Sequence, residues 1–248
     1  MVFIPRKARK ASSTGYYHVV IKGNGGQIIF EEDADRERFL RTLGKYIREE
    51  PFEILAYCLM DNHVHLLMHA EHDLDRIMKR ITCSYAYYFN TKYERTGHLF
   101  QDRYRSEPIE DERYLLTVIR YIHNNPQKAG ISKREDYLWS SWREYLGRET
   151  VVSTELILRI SGGRQGFLRL SKSADDAECM DISEKQRLRD QDAAVLAEQL
   201  LGVDNLFRMQ KMEREERDRA VRILKIHGLP VRQIARLTGI TRAVVSKA

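Results

Sequence analysis

Residues 52 to 60, FEILAYCLM, are apolar at nearly every position, and a second apolar run, His63 to Met68, follows directly after Asp61-Asn62. Such a run is too short for a typical helix and lacks the polar alternation of a half-exposed strand, so both of its faces must be covered. The chain is therefore expected to build a sheet buried on two sides. Phe52 to Met60 reads as a central strand and His63 to Met68 as the strand that follows the turn.

The neighbouring segments supply the covering layers. Tyr16 to Lys22 is rich in β-branched and aromatic residues and is closed by Gly23-Asn24-Gly25-Gly26, which marks a strand and its turn. Phe39, Leu40, Leu43, Tyr46 and Ile47 recur at helical spacing between Glu32 and Glu49, and Leu74, Ile77, Met78, Ile81, Tyr85 and Phe89 do so between Leu74 and Asn90. Gly97 to Pro108 reads as a loop feeding an edge strand, because Pro108 has no amide for a central ladder. A further helix starts near Asp111 and is expected to end close to Asn125, ahead of Pro126. The order β-α-β-β-α-β-α corresponds to a ferredoxin-like α+β plan with one extra helix.

Strand signals stop after Gly147. Residues 148–187 read as short connecting helices, at 153–161 and 166–174, and a polar linker; residues 188–248 read as an all-helical module with helices at 188–201 and 212–227. Its last segment, VRQIARLTGITRAVVSKA, fits a helix-turn-helix. Ala235 permits close approach, Gly239 the turn, and Ile240, Val244 and Val245 face inward. Thr241 reads as an N-cap that sets Arg242 at the start of the second helix. An ordinary helical hairpin closing a small bundle fits the same pattern.

Charge narrows the partner. Lys and Arg total 42 against 36 acidic residues, for a net charge of +6, and the basic cluster Arg6, Lys7, Arg9 and Lys10 reads as an arm; a polyanion such as nucleic acid is the expected ligand. Three widely spaced cysteines, Cys58, Cys83 and Cys179, form no C-x-x-C pair and are expected to be buried free thiols. No apolar run reaches the roughly 18 residues of a bilayer span, and the basic start has no apolar core of a signal peptide, so a cytoplasmic protein without membrane contact is expected.

Two clusters can carry chemistry. Strand periodicity puts His63 and His65 on one face, with Cα atoms about 7 Å apart, so that two imidazoles can converge on one ion. On the following helix Tyr121 and Asn125 are one turn apart and project together. Taken singly, each has a plain alternative: surface histidines, a core-edge tyrosine, and a carboxamide closing the helix end ahead of Pro126. A nucleotide hydrolase with alternating histidines is excluded by Leu67, where that motif needs a third His.

Four motifs in order sharpen this reading. They are Cys58-Leu59-Met60-Asp61-Asn62-His63-Val64-His65-Leu66-Leu67, Gly97-His98-Leu99-Phe100-Gln101-Asp102-Arg103-Tyr104, Arg120-Tyr121-Ile122-His123-Asn124-Asn125-Pro126-Gln127-Lys128-Ala129-Gly130, and Trp139-Ser140-Ser141-Trp142. Over about residues 13–147 the chain resembles the HUH single-tyrosine transposases, and among them the REP-associated tyrosine transposase branch. The resemblance makes residues 1–147 the catalytic domain. It implies that His63 and His65 bind a divalent metal, Mg²⁺ or Mn²⁺, that a polar residue one turn after the tyrosine, here Asn125, completes the site, and that Tyr121 is the nucleophile. The implied reaction is cleavage and rejoining of single-stranded or hairpin DNA through a 5′-phosphotyrosine, by a monomer or a homodimer. Arg6, Lys7, Arg9, Lys10, Lys22, Arg95, Arg103 and Arg105 are then candidate phosphate contacts, and Tyr87, Tyr88, Phe100 and Tyr104 candidate stacking faces. Arg232, Arg236, Arg242 and Lys247 would meet flanking duplex DNA. The competing reading is a non-catalytic DNA-binding regulator, which would need none of His63, His65, Tyr121 and Asn125.

Overall fold

The computed structural model, which describes residues 9–101, 103–148, 151–173, 179–180, 188 and 190–248, arranges the apolar runs as a four-stranded antiparallel sheet. Its strands are β1 (Tyr16–Lys22), β2 (Glu53–Met60), β3 (His63–His69) and β4 (Arg105–Ile109), with neighbours in the order β2-β3-β1-β4. Helices α1 (Asp33–Glu49) and α2 (Leu74–Lys92) cover one face, packing Phe39, Leu43, Ile81 and Phe89 on Val19, Ile21, Val64 and Leu66. Helix α3 (Glu112–Lys128) covers the other, packing Leu115, Val118, Ile119 and Ile122 on Cys58, Met60 and Leu67. Because strand side chains alternate, the residues between the first set on β1 and β3 all face α3. Those residues include His18, His63 and His65.

β2 is not central, as its composition suggests, but lies at the edge of the sheet. It is nevertheless buried, because the chain after α3 satisfies its open edge. Leu59 donates its amide to the Trp139 carbonyl at 2.8 Å, the Ser141 hydroxyl accepts the Tyr57 amide at 2.9 Å, and the Tyr137 and Tyr145 hydroxyls donate to the Leu59 and Leu55 carbonyls. An edge strand covered in this way needs no polar face.

That cover extends past residue 147. Ser153 donates its amide to the Ile54 carbonyl at 2.8 Å, and helices α4 (Glu155–Ser161) and α5 (Gly163–Lys172) bring Ile157 and Phe167 into the core under α3. The chain divides into compact units at 1–185 and 186–248, so the stretch expected as a connector from 148 is, where described, part of the first unit. The Phe167 ring lies 4.4 Å from that of Tyr145 and 5.1 Å from that of Trp142. Phe167→Ala should therefore cost about 3–5 kcal/mol, read from a urea denaturation midpoint.

Two other expectations change. α3 continues through Pro126 to Lys128, because the amide lost at the proline falls in the last turn and the surrounding bonds hold: Ala129 donates to the Asn125 carbonyl and Ile131 to the Pro126 carbonyl. Of the three free thiols only Cys58 is buried; Cys83 is exposed on α2 and Cys179 half-buried.

His123, on the side of α3 facing the edge cover, is buried with its Nε2 2.8 Å from the Ser141 hydroxyl. Burial first, and the Arg134 guanidinium second, lower its pKa to about 3. Below pH 6.5 the unfolded chain takes up a proton that the folded chain refuses. Stability should thus fall by about 1.4 kcal/mol per unit between pH 6.5 and 3 on account of this residue. Urea midpoints over that range, compared with those of His123→Gln, check the slope: the variant should be flatter.

The second unit contains α6 (Asp190–Leu201), α7 (Arg214–Ile226), α8 (Val231–Thr238) and α9 (Arg242–Lys247) around Ala193, Met209, Val221, Leu224, Ile234 and Val245. Gly239 has φ 69°, the left-handed turn that glycine adopts without strain. Thr241 occupies the N-cap position of α9, but its side chain makes no capping hydrogen bond.

Candidate active site

The site forms where α3 crosses the middle of the sheet. Strand alternation turns His63 and His65 toward α3, with ring centroids 5.0 Å apart, and helical spacing brings Tyr121 and Asn125 down onto them. The Tyr121 ring is 5.6 Å from that of His65, and the Asn125 side-chain amide is 3.2 Å from His65 Nε2. His65 is fully enclosed, Tyr121 and Asn125 are buried, and His63 is half-buried, so the cluster has one open side. All four residues singled out for chemistry are thus within one neighbourhood.

Each imidazole is held through Nδ1. His63 Nδ1 is 2.7 Å from the Asn62 side-chain oxygen, which can only accept, so His63 carries its proton there and presents Nε2 as a lone pair. Asn62 is itself buried in the β2–β3 turn, where Asp61 pairs with the enclosed guanidinium of Arg36. His65 Nδ1 is 3.0 Å from Nε2 of His18, a fully buried residue of β1. Burial, and then the neighbouring His63 and His18, keep the His65 pKa well below the ordinary histidine range. A neutral imidazole is the form that can offer a lone pair.

Among the described residues no three of His, Cys, Asp and Glu converge to hold a metal. The donor set that does converge is two imidazoles and one carboxamide. Its donor types suit Mn²⁺ at least as well as Mg²⁺. The 3.2 Å between His65 Nε2 and the Asn125 amide matches the roughly 3 Å between neighbouring ligands of an octahedral ion with bonds of about 2.1 Å. These residues fit a divalent ion, with the carboxamide turned to present its oxygen.

Three neighbours escaped the sequence reading. His18 lies on the same face as His63 and His65, its ring 5.2 Å from that of His65 and 5.8 Å from that of Tyr121. Glu107 on β4 places Oε2 4.0 Å from His18 Nδ1. The Lys128 ammonium sits 4.5 Å over the Tyr121 ring. Parity along Tyr16–Lys22 marks His18 as a residue facing one side, but the pairing of β1 with β3 that brings it to His65 is not local. Lys128 was missed because α3 was expected to stop before it.

The basic residues disperse. Arg6 and Lys7 fall outside the described residues; Arg9 lies 3.8 Å over the Tyr104 ring and pairs with Asp75, while Lys10 and Arg105 are exposed. Arg103 lines a pocket of about 440 Å³ with Lys22, Lys79, Phe100, Gln101 and Tyr104. Tyr87 is exposed, whereas Tyr88 is half-buried and donates to the buried Asp35 carboxylate. In the second unit Arg232, Arg242 and Lys247 are exposed, and Arg236 pairs with Asp190. No helix of the described residues is long and apolar enough to cross a membrane.

Comparison with known proteins finds similar chains. A Haemophilus influenzae protein named "Putative REP-associated tyrosine transposase" is 29% identical over 106 residues, which are 37% of this chain and 60% of that protein's length. A solved structure described as the REP-associated tyrosine transposase bound to a REP hairpin superimposes with a TM-score of 0.53 at 17% identity, over 75% of this chain and 99% of that one. That likeness concerns the fold, a mixed structure of helices and a four-stranded antiparallel sheet. The family described as Transposase IS200 like matches residues 11–125, the stretch that contains His18, His63, His65, Tyr121 and Asn125, and over that stretch this chain is similar to the IS200-like transposases.

Proposed function

We propose that the first unit is an HUH-type, DNA-cleaving and strand-joining enzyme acting on single-stranded or hairpin DNA, built on a ferredoxin-like sheet. The order β2-β3-β1-β4 with α1 and α2 on one face supports the fold reading. The single observation that carries the function is the meeting of His63, His65 and Asn125 beside the Tyr121 ring. A structural relative described as bound to a REP hairpin supports hairpin DNA as the ligand.

The phenol oxygen of Tyr121 attacks a backbone phosphorus, the bond from phosphorus to the 3′-oxygen breaks, and that oxygen leaves with a proton as a 3′-hydroxyl. The DNA is left as a 5′-phosphotyrosine ester. No water enters, so a 3′-hydroxyl can reverse the step and join strands. An ordinary phenol is protonated near neutral pH, and Lys128 over the ring favours the phenolate that must develop. His63, His65 and Asn125 would hold the Mg²⁺ or Mn²⁺, which supplies charge stabilisation to the phosphate oxygens. As all three ligands are neutral, the ion's charge remains to attract an anionic substrate.

Incubation of the protein with labelled hairpin DNA and Mn²⁺ should yield an adduct that survives denaturation. Tight hairpin binding with no adduct at saturating protein would replace this reading with that of a DNA-binding regulator.

Around this centre, Arg9, Lys10, Arg103 and Arg105, with Arg6 and Lys7, are proposed to neutralise phosphates, and Phe100 and Tyr104 to offer stacking faces at the Arg103 pocket. The second unit is proposed as a DNA-binding module in which α8 and α9 act as a helix-turn-helix, with Arg232, Arg242 and Lys247 on flanking duplex. Deletion of residues 186–248 should preserve cleavage of a minimal hairpin and weaken binding to a hairpin with flanking duplex. Gel-shift titration of both DNAs checks this. The cut must fall at 186 and not at 148, since Ser153, Ile157 and Phe167 complete the first core.

A further inference from the structure

We propose that the pair His18–Glu107 is the positioning device that sets His65 for its ion, by fixing which ring nitrogen of His65 carries the proton. This rests on the reading of His65 as a metal ligand. The two nitrogens of His65 face different partners: Nε2 is turned to Asn125 at 3.2 Å, and Nδ1 to His18 Nε2 at 3.0 Å. His18 is therefore on the wrong side of the ring to share an ion with Nε2. What it can do is decide the tautomer.

Two arrangements satisfy the bond between the histidines. In one, His18 donates and His65 accepts, which puts the His65 proton on Nε2 and blocks the metal. In the other, His65 donates from Nδ1 and keeps Nε2 free. Glu107 separates them: its Oε2, 4.0 Å from His18 Nδ1, is beyond hydrogen-bond distance and acts through its negative charge, which favours a proton on that nitrogen and so leaves His18 Nε2 as the acceptor. Glu107 is steadied in turn by the Met180 amide, which it accepts at 3.3 Å. The chain Glu107, His18, His65 thus points the His65 lone pair at Asn125. Asn62 achieves the same for His63 through one amide oxygen. A ligand histidine whose far nitrogen is fixed in this way loses about 10- to 100-fold in metal affinity when the outer partner is removed.

Two measurements on the full chain test this: calorimetric titration with Mn²⁺, and ring ¹⁵N shifts of His65 in the metal-free protein. In wild type His65 should carry its proton on Nδ1. His18→Phe keeps the ring volume and removes the acceptor; it should move the proton toward Nε2 and weaken Mn²⁺ binding about 10- to 100-fold. His18→Gln, whose side-chain oxygen can accept the same bond, should restore both to within a few-fold. Glu107→Gln, at a half-exposed position that leaves the core intact, should shift the tautomer in the same direction as His18→Phe and weaken binding several-fold.

If His18→Phe and Glu107→Gln both keep the wild-type tautomer and Mn²⁺ affinity, His18 is a packing residue and the inference is overturned. If wild type binds no Mn²⁺, or His65→Ala binds it as well as wild type, the metal reading itself fails. The His65 tautomer in the same variants still reports whether His18 and Glu107 set the ring.

Discussion

Tyr121→Phe should leave no covalent protein–DNA adduct, a loss of at least about a thousand-fold in cleavage, while hairpin affinity stays within a few-fold of wild type. The phenol oxygen is the only atom removed. The ring keeps its packing between His65, His18 and Lys128, so the stability cost should be about 1 kcal/mol at most. Denaturing gels with labelled hairpin and Mn²⁺ read the adduct, and a thermal melt reads the fold. Tyr114, two turns earlier on α3, is the control. Burial, and then the Glu107 carboxylate, push its phenol pKa up, which makes it a poorer nucleophile, and Tyr114→Phe should retain the adduct. An adduct of normal yield in Tyr121→Phe would assign the nucleophile elsewhere.

His63→Ala and His65→Ala should each abolish cleavage and weaken Mn²⁺ binding by more than about 100-fold, because one imidazole with one carboxamide is a poor site for either ion. Asn125→Ala should be milder, about tenfold, since water can replace a neutral oxygen ligand. His65 is fully buried, so its alanine variant also leaves a cavity, and His65→Gln serves as the smaller perturbation. Calorimetry that finds unchanged Mn²⁺ affinity in all three histidine variants would remove these residues from the ligand set. Hairpin affinity measured without metal separates a lost ion from a lost fold.

Much of this site is written in local periodicity. The period of two along β3 is enough to put His63 and His65 on one face, and the period of 3.6 along α3 is enough to put Tyr121 and Asn125 on one side, wherever the two elements end up. The alternation of strands and helices is legible for the same reason: each element must show its apolar stripe to something. The spaced motifs added the order of the parts, and the family resemblance added the chemistry.

What periodicity could not determine is partnership between distant segments. Phe52 to Met60 is apolar on both faces, and such a strand can be central or can lie at an edge that another part of the chain covers. The bonds from Tyr137, Trp139, Ser141, Tyr145 and Ser153 cover β2 at the edge, and the last of them draws residues past 147 into the first unit. His18 stands 47 residues from His65 and meets it only because β1 pairs with β3 in one register. Lys128 reaches Tyr121 only because α3 tolerates Pro126 in its last turn. By itself the sequence determined which side chains share a face. The tertiary structure decided which faces meet, because strand register and edge cover are set by the packing of the whole core and not by any pattern within one segment.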